Sequence, residues 1–492
     1  MGTTTTRRGW AVWLKRGLWY LFLSWLVATV VFFALYWRMI HMVVTYNTIL
    51  IPPFYAEPAD TAQARAQDLD YLRKLITIDR SFSESARAEF TALLDGAAPK
   101  LADMSDAAFY LLIAKAAALA DNGHTGISDQ PLYRRFKTIR ARLHWFADGL
   151  FVVRAEARHA LAVGQRVLAV DGRPIAKVVA GLSAYRGGNA PWRRALTPLM
   201  IEAPAILHAA GLAESPEGIT FTLEAADGAV TTMRFEAVAP EDPGALPRRR
   251  AWRRVTPAVL PEESDALWVR AFTREGDDAP LYLRDLDAPF FAPLPGGGHY
   301  IRTQTGFGSP TQSVPAFFEA ALSGIPDGSL DYLVVDYRWN SGGDYTKAIA
   351  FAKAAPEKVK PGGTLYLAVG PQTFSAAIVA VAMLKYYGGE KSVIIGTPMG
   401  DRGQFWAERG MSFVLPNSGY AINYATGYHD WEKGCTGEPY CFTLNQIHEV
   451  PAGSLAPQIR LAPTFADYTA GRDVVMDWVL DDQGIERSAP PK

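Results

Sequence analysis

The sequence predicts a multidomain α/β protein whose chemistry sits on a largely parallel sheet, and three observations predict it. Strand-like and helix-like segments alternate from Leu267 onward. A β-rich stretch with Gly- and Asp-containing turns precedes them, between Leu143 and about Ala237. Near the N-terminus, Leu18 to Trp37 is a run of about twenty apolar residues broken only by Ser24 and Thr29. A chain of 492 residues suggests two or three domains. Its 49% hydrophobic and 20% charged residues are those of a globular protein. A net charge of −1 gives no footprint for nucleic acid.

The apolar run is long enough to span a bilayer, so we assign 17–37 to a transmembrane anchor and 1–16 to a cytoplasmic N-terminus. Arg7, Arg8, Lys15 and Arg16 precede the run and only Arg38 follows closely, which puts the N-terminus inside. This predicts a single-pass protein of the cell inner membrane with its bulk periplasmic or extracellular. A cleavable signal peptide would have a shorter apolar core followed by small residues, whereas Arg38-Met39-Ile40-His41 follows here. Residues 38–67, Pro/Ala-rich from Pro52, read as a tether. Leu, Ile and Phe recur at helical spacing over 68–130, where Ser105 caps a helix ending near Asn122-Gly123 with His124 just beyond. Strands at LFVV, QRVLAV, ITFTLEA and TTMRFEA make 140–240 a β-rich unit, and ALAVGQRVLAVDGRPIAKVV within it resembles the core of a PDZ domain. PDZ domains bind peptides by strand addition; an ordinary β-rich insert with an Asp171-Gly172 turn is the alternative. Residues 238–263, with Arg248-Arg249-Arg250 and Arg253-Arg254, read as a solvated linker. Residues 264–485 form the α/β domain: HYIRTQ, a helix in VPAFFEAALSGI, DYLVVDY, a helix in YTKAIAFAKAA, TLYLAV, a helix in AAIVAVAMLKYY, then SVIIG.

In a parallel sheet, ligands gather at the carboxyl ends of the strands. Two such ends carry loops rich in backbone donors, VVDYRWNSGGD (334–344) and VGPQTFSAA (369–377). One right-handed crossover makes their strands neighbours, so the loops face one pocket. Ser375 stands at the mouth of an apolar helix, where hydroxyl, following N–H and helix end meet, as a nucleophile requires. The bland reading of Ser375 is a helix N-cap. Thr373 is available for that role, which would leave Ser375 in the first turn. Cys435 and Cys441, the two cysteines, predict a local disulfide in an oxidising compartment. With distant His448 they offer too few ligands for a metal.

These segments resemble the S41 serine peptidases, the family of tail-specific and tricorn-type proteases. DYLVVDYRWNSGGD is similar to its "D-x-R-x-N-x-G-G" segment, TFSAA to its nucleophile segment and DNGHTGIS to its "D-G-H-T" motif. SLAPQIRLAPTFADYTAGRDVVMDWVL is similar to its closing "P-D-I … G-x-D-x-x-L". The resemblance covers most of 68–482 and implies a ClpP/crotonase-like α/β domain. It implies Ser375 as nucleophile and an oxyanion hole from the N–H of Ala376 and one from the Gly342-Gly343 turn. Tail-specific proteases use a lysine base in a "G-K-G" context, but the matching place reads Gly400-Asp401-Arg402-Gly403. Arginine stays protonated and cannot serve. Lys385 lies too far along its helix and Lys391 beyond a Gly-Gly turn.

His124 is therefore the expected general base, as in the tricorn-like Ser/His/Glu branch. His429 is an alternative base without a family counterpart. Glu449, Asp430 and Glu432 remain open as the third member that orients the imidazole. The expected function is a membrane-anchored serine endopeptidase acting on peptide or protein substrates, with no metal or organic cofactor. The alternatives are a catalytically inactive S41-like protein that binds peptides or apolar ligands, and a scaffold acting through the PDZ-like unit alone.

Overall fold

The computed structural model describes residues 6–48, 50–51, 53–239, 252–260, 268–308, 312–408 and 413–486. A sheet of six strands lies at its centre, in the order Phe290–Leu294, Gly298–Arg302, Leu330–Asp336, Val359–Val369, Ser392–Gly396 and Ile459–Arg460. All neighbours are parallel except the first pair, an antiparallel hairpin at the edge that the alternation of segments had not shown. The period-2 alternation of a strand divides each one between two cores. Leu333, Val335, Leu365 and Leu367 face the helices Val314–Leu322, Ile349–Lys358 and Ala376–Gly388. Tyr332, Val334, Tyr366 and Ala368 face the helix Val474–Asp482. Burial on both faces explains why these strands read as unbroken apolar runs.

Register aligns the carboxyl ends: Asp336 sits opposite Arg302 and Ala368, and Val369 opposite Gly396. The loops after 336, 369 and 396 therefore leave the sheet at one edge, and that edge carries the site.

Four helices, Thr61–Leu72, Leu75–Ile78, Glu84–Ala97 and Asp106–Ala118, form the helical unit. Ser105 caps the last of them by accepting from Ala108 N. The helix stops at Ala118, short of Asn122, and Asp121 takes a left-handed φ of 47° just beyond it. A second sheet of eight strands spans 138–270. It carries the strands Gly149–Glu156, Arg166–Val170, Gly218–Glu224 and Val230–Val238, together with the helices Ile175–Leu182 and Ala190–Ile201.

Two linkers differ from the sequence reading. The N-terminal helix runs unbroken from Thr6 to Tyr46, so 38–46 is not a loose tether. Its Val12–Tyr46 portion is long and apolar enough to cross a membrane, which fits an anchor or a signal sequence near the N-terminus. Its last turn docks on the folded body: Tyr46 Oη donates to Cys441 O at 2.6 Å, Arg80 Nη2 donates to Thr45 O at 2.9 Å, and His41 Nδ1 lies 3.1 Å from Thr443 Oγ1. Cys435 and Cys441 are joined in the disulfide that closes this docking loop. Arg248, Arg249 and Arg250 lie outside the described residues, but Arg254 is not solvated. It is buried against Glu202, itself fully buried, because a buried carboxylate must be paired.

Candidate active site

The turn after Asp336 is fixed by charge. Asp336 is buried and accepts from Arg338 N at 2.9 Å, from the Arg338 guanidinium at 2.6 Å and from Tyr300 Oη at 2.7 Å. Arg338 also grips Asp473 through two bonds of 2.8 and 2.7 Å, tying this turn to the N-terminus of the helix Val474–Asp482. Burial by itself would raise the Asp336 carboxyl, but Arg338 outweighs it and holds the group below the usual carboxylate range. A depressed folded pKa contributes stability that is complete above the unfolded value and is lost as pH falls through the folded one. The unfolding temperature should therefore fall on acidification below the ordinary carboxylate range. Asp336→Asn should flatten part of that slope and cost about 1.5–3 kcal/mol at neutral pH. A thermal-unfolding series in pH on both proteins measures this, and parallel slopes would refute it.

Beyond Arg338 the loop folds back onto the turn that carries Ser375. Asn340 Oδ1 accepts from Gly342 N at 2.9 Å, and Asn340 O accepts from Phe374 N at 3.1 Å. Thr373, fully buried, donates to Tyr337 O and accepts from Gly370 N, both at 2.9 Å. Thr373 thus pins the two loops together and caps nothing. Ser375 occupies the N-cap position itself, yet its hydroxyl makes no capping bond and its backbone is left-handed, with φ 56° and ψ −128°. For a residue with a Cβ this costs about 1–3 kcal/mol, and such strain gathers at functional turns. A sharp strand-to-helix turn of this kind exposes the nucleophile of α/β-hydrolases.

Gly342 lies directly against this turn. A Cβ on it would stand 2.6 Å from Ser375 Cβ and 3.0 Å from Ala376 N, and its φ of 94° is one that glycine tolerates. The Gly342 N–H is already spent on Asn340. Among the described residues, the N–H groups of Gly343 and Ala376 have no acceptor, so both are available to an oxyanion.

His124 arrives from the helical unit. Its loop is held by Asn122 Nδ2 donating to Trp406 O at 3.0 Å and by Thr125 Oγ1 donating to buried Asp79 at 2.6 Å. A strand pairing of Gly126 with Asn423 fixes the loop from the other side. The imidazole lies between Phe374, with centroids 4.4 Å apart, and Phe405 at 5.2 Å. It thus stacks on the residue just before Ser375. Both ring nitrogens are buried and make no hydrogen bond.

The carboxylate beside this ring is Asp401, whose Oδ2 is 3.6 Å from His124 Nδ1. Asp401 is buried, and its Oδ1 accepts from Arg402 N at 2.9 Å. Gly123 makes room for it: a Cβ there would meet the Phe374 ring at 2.8 Å and Asp401 Oδ2 at 3.0 Å. The three carboxylates considered from sequence do other work. Glu449 accepts from the backbone N–H groups of Cys435 and Thr436, Asp430 from those of Glu432 and Lys433, and Glu432 from that of Leu455. Asp430 closes a turn, Glu449 and Glu432 tie together separate loops, and among the described residues none of the three pairs with His124. Asp401 was missed although it stands in the loop after the strand Ser392–Gly396, the third carboxyl end at the same edge.

The remaining bases are elsewhere. Arg402 points to Asp121, 3.7 Å away, Lys385 Nζ donates to Ser454 O and Lys391 Nζ to Val359 O. His429 stacks on the far face of Phe405 at 4.7 Å, so that ring separates it from His124. Burial pushes its pKa down, and Glu408 lies 3.3 Å from its Nε2.

Sheet, insert and edge loops together have the fold of the S41 peptidases. Among solved structures, mature CPAF complexed with lactacystin overlays this chain with a TM-score of 0.52 at 13% identity, over 86% of this chain and 98% of that one. Mature CPAF gives 0.50 at 14% identity, over 86% and 97%. The tricorn protease overlays at 0.37 with 13% identity, over 86% of this chain and 36% of that one. No protein-family model and no curated protein sequence matches the chain.

Proposed function

We propose that the protein is a membrane-anchored serine endopeptidase with Ser375 as nucleophile, His124 as general base and Asp401 as the carboxylate behind the histidine. The observation that carries it is the uncapped hydroxyl of Ser375 on a left-handed turn, with the His124 imidazole stacked on the preceding Phe374 and facing Asp401 through Nδ1, neither ring nitrogen making a hydrogen bond. Because Nδ1 faces Asp401, Nε2 is the nitrogen that serves the serine. As Ser375 Oγ attacks a peptide carbonyl, its proton passes to His124 Nε2, and Asp401 stabilises the resulting imidazolium through Nδ1–H. The N–H groups of Ala376 and Gly343 hold the oxyanion. Collapse expels the amine with the proton from His124 and leaves an acyl-enzyme, which water then hydrolyses by the same route. The overlay with CPAF, solved with lactacystin bound, supports the peptidase reading.

In the same reading the helix 6–46 spans the membrane with the N-terminus in the cytoplasm. The folded body lies in the periplasm or outside the cell, where the Cys435–Cys441 bridge is chemically stable. The β-rich unit at 140–240 is PDZ-like and presents a peptide strand to the site. The test is labelling of the detergent-solubilised full chain with a fluorophosphonate, followed by peptide mapping. The expected adduct is on Ser375. A folded protein that takes no label, or takes it on another serine, would return the chain to the alternative of an inactive S41-like binding protein.

A further inference from the structure

Next to the nucleophile turn lies a cavity of about 480 Å³, within the range of small-ligand sites. One wall is Gly370-Pro371-Gln372, the segment that leads into Phe374 and Ser375. The opposite wall is the helix Ala190–Ile201, whose Trp192 stacks on Phe374 at 4.2 Å while Pro191, Arg194 and Ala195 line the cavity. The interior is mostly apolar, and Trp145, Phe146, Tyr282 and Trp339 give it aromatic walls. His144 in the same lining is pushed down to about 3 by burial and by Arg254, so it is uncharged at neutral pH.

The charged residues of this lining are of one sign. It contains Arg194, Arg254 and Arg338 and no aspartate or glutamate. Arg254 is neutralised by Glu202, and Arg338 by Asp336 and Asp473. Arg194 has no carboxylate or hydrogen-bond acceptor among the described residues. Its guanidinium rests on the Trp145 ring, 4.1 Å from the centroid, which pre-orients it and leaves its planar edge of donors unspent. An aromatic cavity with one pre-oriented, unneutralised guanidinium is complementary to an apolar group that carries a carboxylate beside it.

We propose that this cavity is a substrate subsite for an acidic side chain next to a large apolar residue, and that Arg194 is its specificity-determining residue. The site deepens the peptidase reading and rests on it for the identity of the ligand as a polypeptide. Arg194 binds the carboxylate bidentately and the aromatic walls take the apolar neighbour. Selection for a glutamate over a glutamine at that position follows.

The test uses the full chain with Ser375→Ala in detergent, and two fluorescent, acetylated and amidated octapeptides that differ only in a central Phe-Glu or Phe-Gln pair. With both ends blocked, the side chain supplies the sole carboxylate. Fluorescence anisotropy is expected to show the Glu peptide binding on the order of tenfold more tightly. Arg194→Met should abolish that preference and Arg194→Lys should restore part of it. Equal binding of both peptides, binding of neither, or a preference that survives Arg194→Met would overturn the subsite. The protein with Ser375 intact is assayed for cleavage of the same pair. Binding preference without any cleavage would remove the peptidase reading and leave the subsite standing, whereas cleavage without preference would do the reverse.

Discussion

Ser375→Ala is expected to abolish peptide hydrolysis, lowering kcat by a factor on the order of 10⁴–10⁶, with KM and the unfolding temperature close to those of the parent. The asymmetry follows from the structure. The Ser375 hydroxyl caps no helix and makes no hydrogen bond among the described residues, so its removal takes away chemistry and little else. The left-handed backbone at this position is a separate quantity, and a second variant isolates it. Ser375→Gly removes the Cβ that makes φ 56° costly and should be the more stable protein by about 1 kcal/mol while equally inactive. Steady-state hydrolysis of a peptide pool and thermal unfolding of the three proteins measure both effects. Wild-type turnover by Ser375→Ala would end the serine mechanism. An unfolding temperature lowered in both variants would show the hydroxyl to be structural.

What the sequence made legible here is what depends on local pattern. The strands Leu330–Asp336 and Val359–Val369 carry their apolar runs because both faces are buried, and the Gly342-Gly343 turn is needed because Ser375 Cβ fills the space a side chain would take. The antiparallel edge hairpin, Phe290–Leu294 with Gly298–Arg302, is local, and its Gly296-Gly297 turn was a readable signal; the docking of Tyr46 on Cys441 is a pairing across a long separation, and no window of sequence contains it. The ring stack around His124 is of the same kind. Trp192, Phe374, His124, Phe405 and His429 follow one another at 4.2, 4.4, 5.2 and 4.7 Å, drawn from five separate stretches of the chain. Asp401 sits between these cases. Its residue type and its place at a strand's carboxyl end are local features, but nothing in the stretch Gly400-Asp401-Arg402-Gly403 places it beside a histidine nearly 280 residues earlier. Only the packing of Gly123 against Phe374 and Asp401 brings that carboxylate to the histidine.

Asp401→Asn should then be the most informative change in the site after the serine itself. A carboxylate facing Nδ1 holds the tautomer in which Nε2 is free to accept the serine proton, and it stabilises the imidazolium that results. An amide of the same shape can donate to Nδ1 and so favours the opposite tautomer. The expected loss in kcat is on the order of 10³–10⁴, with little change in fold, since Oδ1 can still accept from Arg402 N. The contrast lies with Glu449→Gln, Asp430→Asn and Glu432→Gln. These remove charge from carboxylates that hold backbone N–H groups of the surrounding loops, so they should lower the unfolding temperature while keeping activity within about tenfold. The rate of fluorophosphonate labelling reads the nucleophile without a substrate and should fall with kcat in Asp401→Asn alone. If labelling is unchanged there and collapses in Glu449→Gln, then the carboxylate 3.6 Å from Nδ1 is a bystander and the histidine is oriented from the disulfide loop.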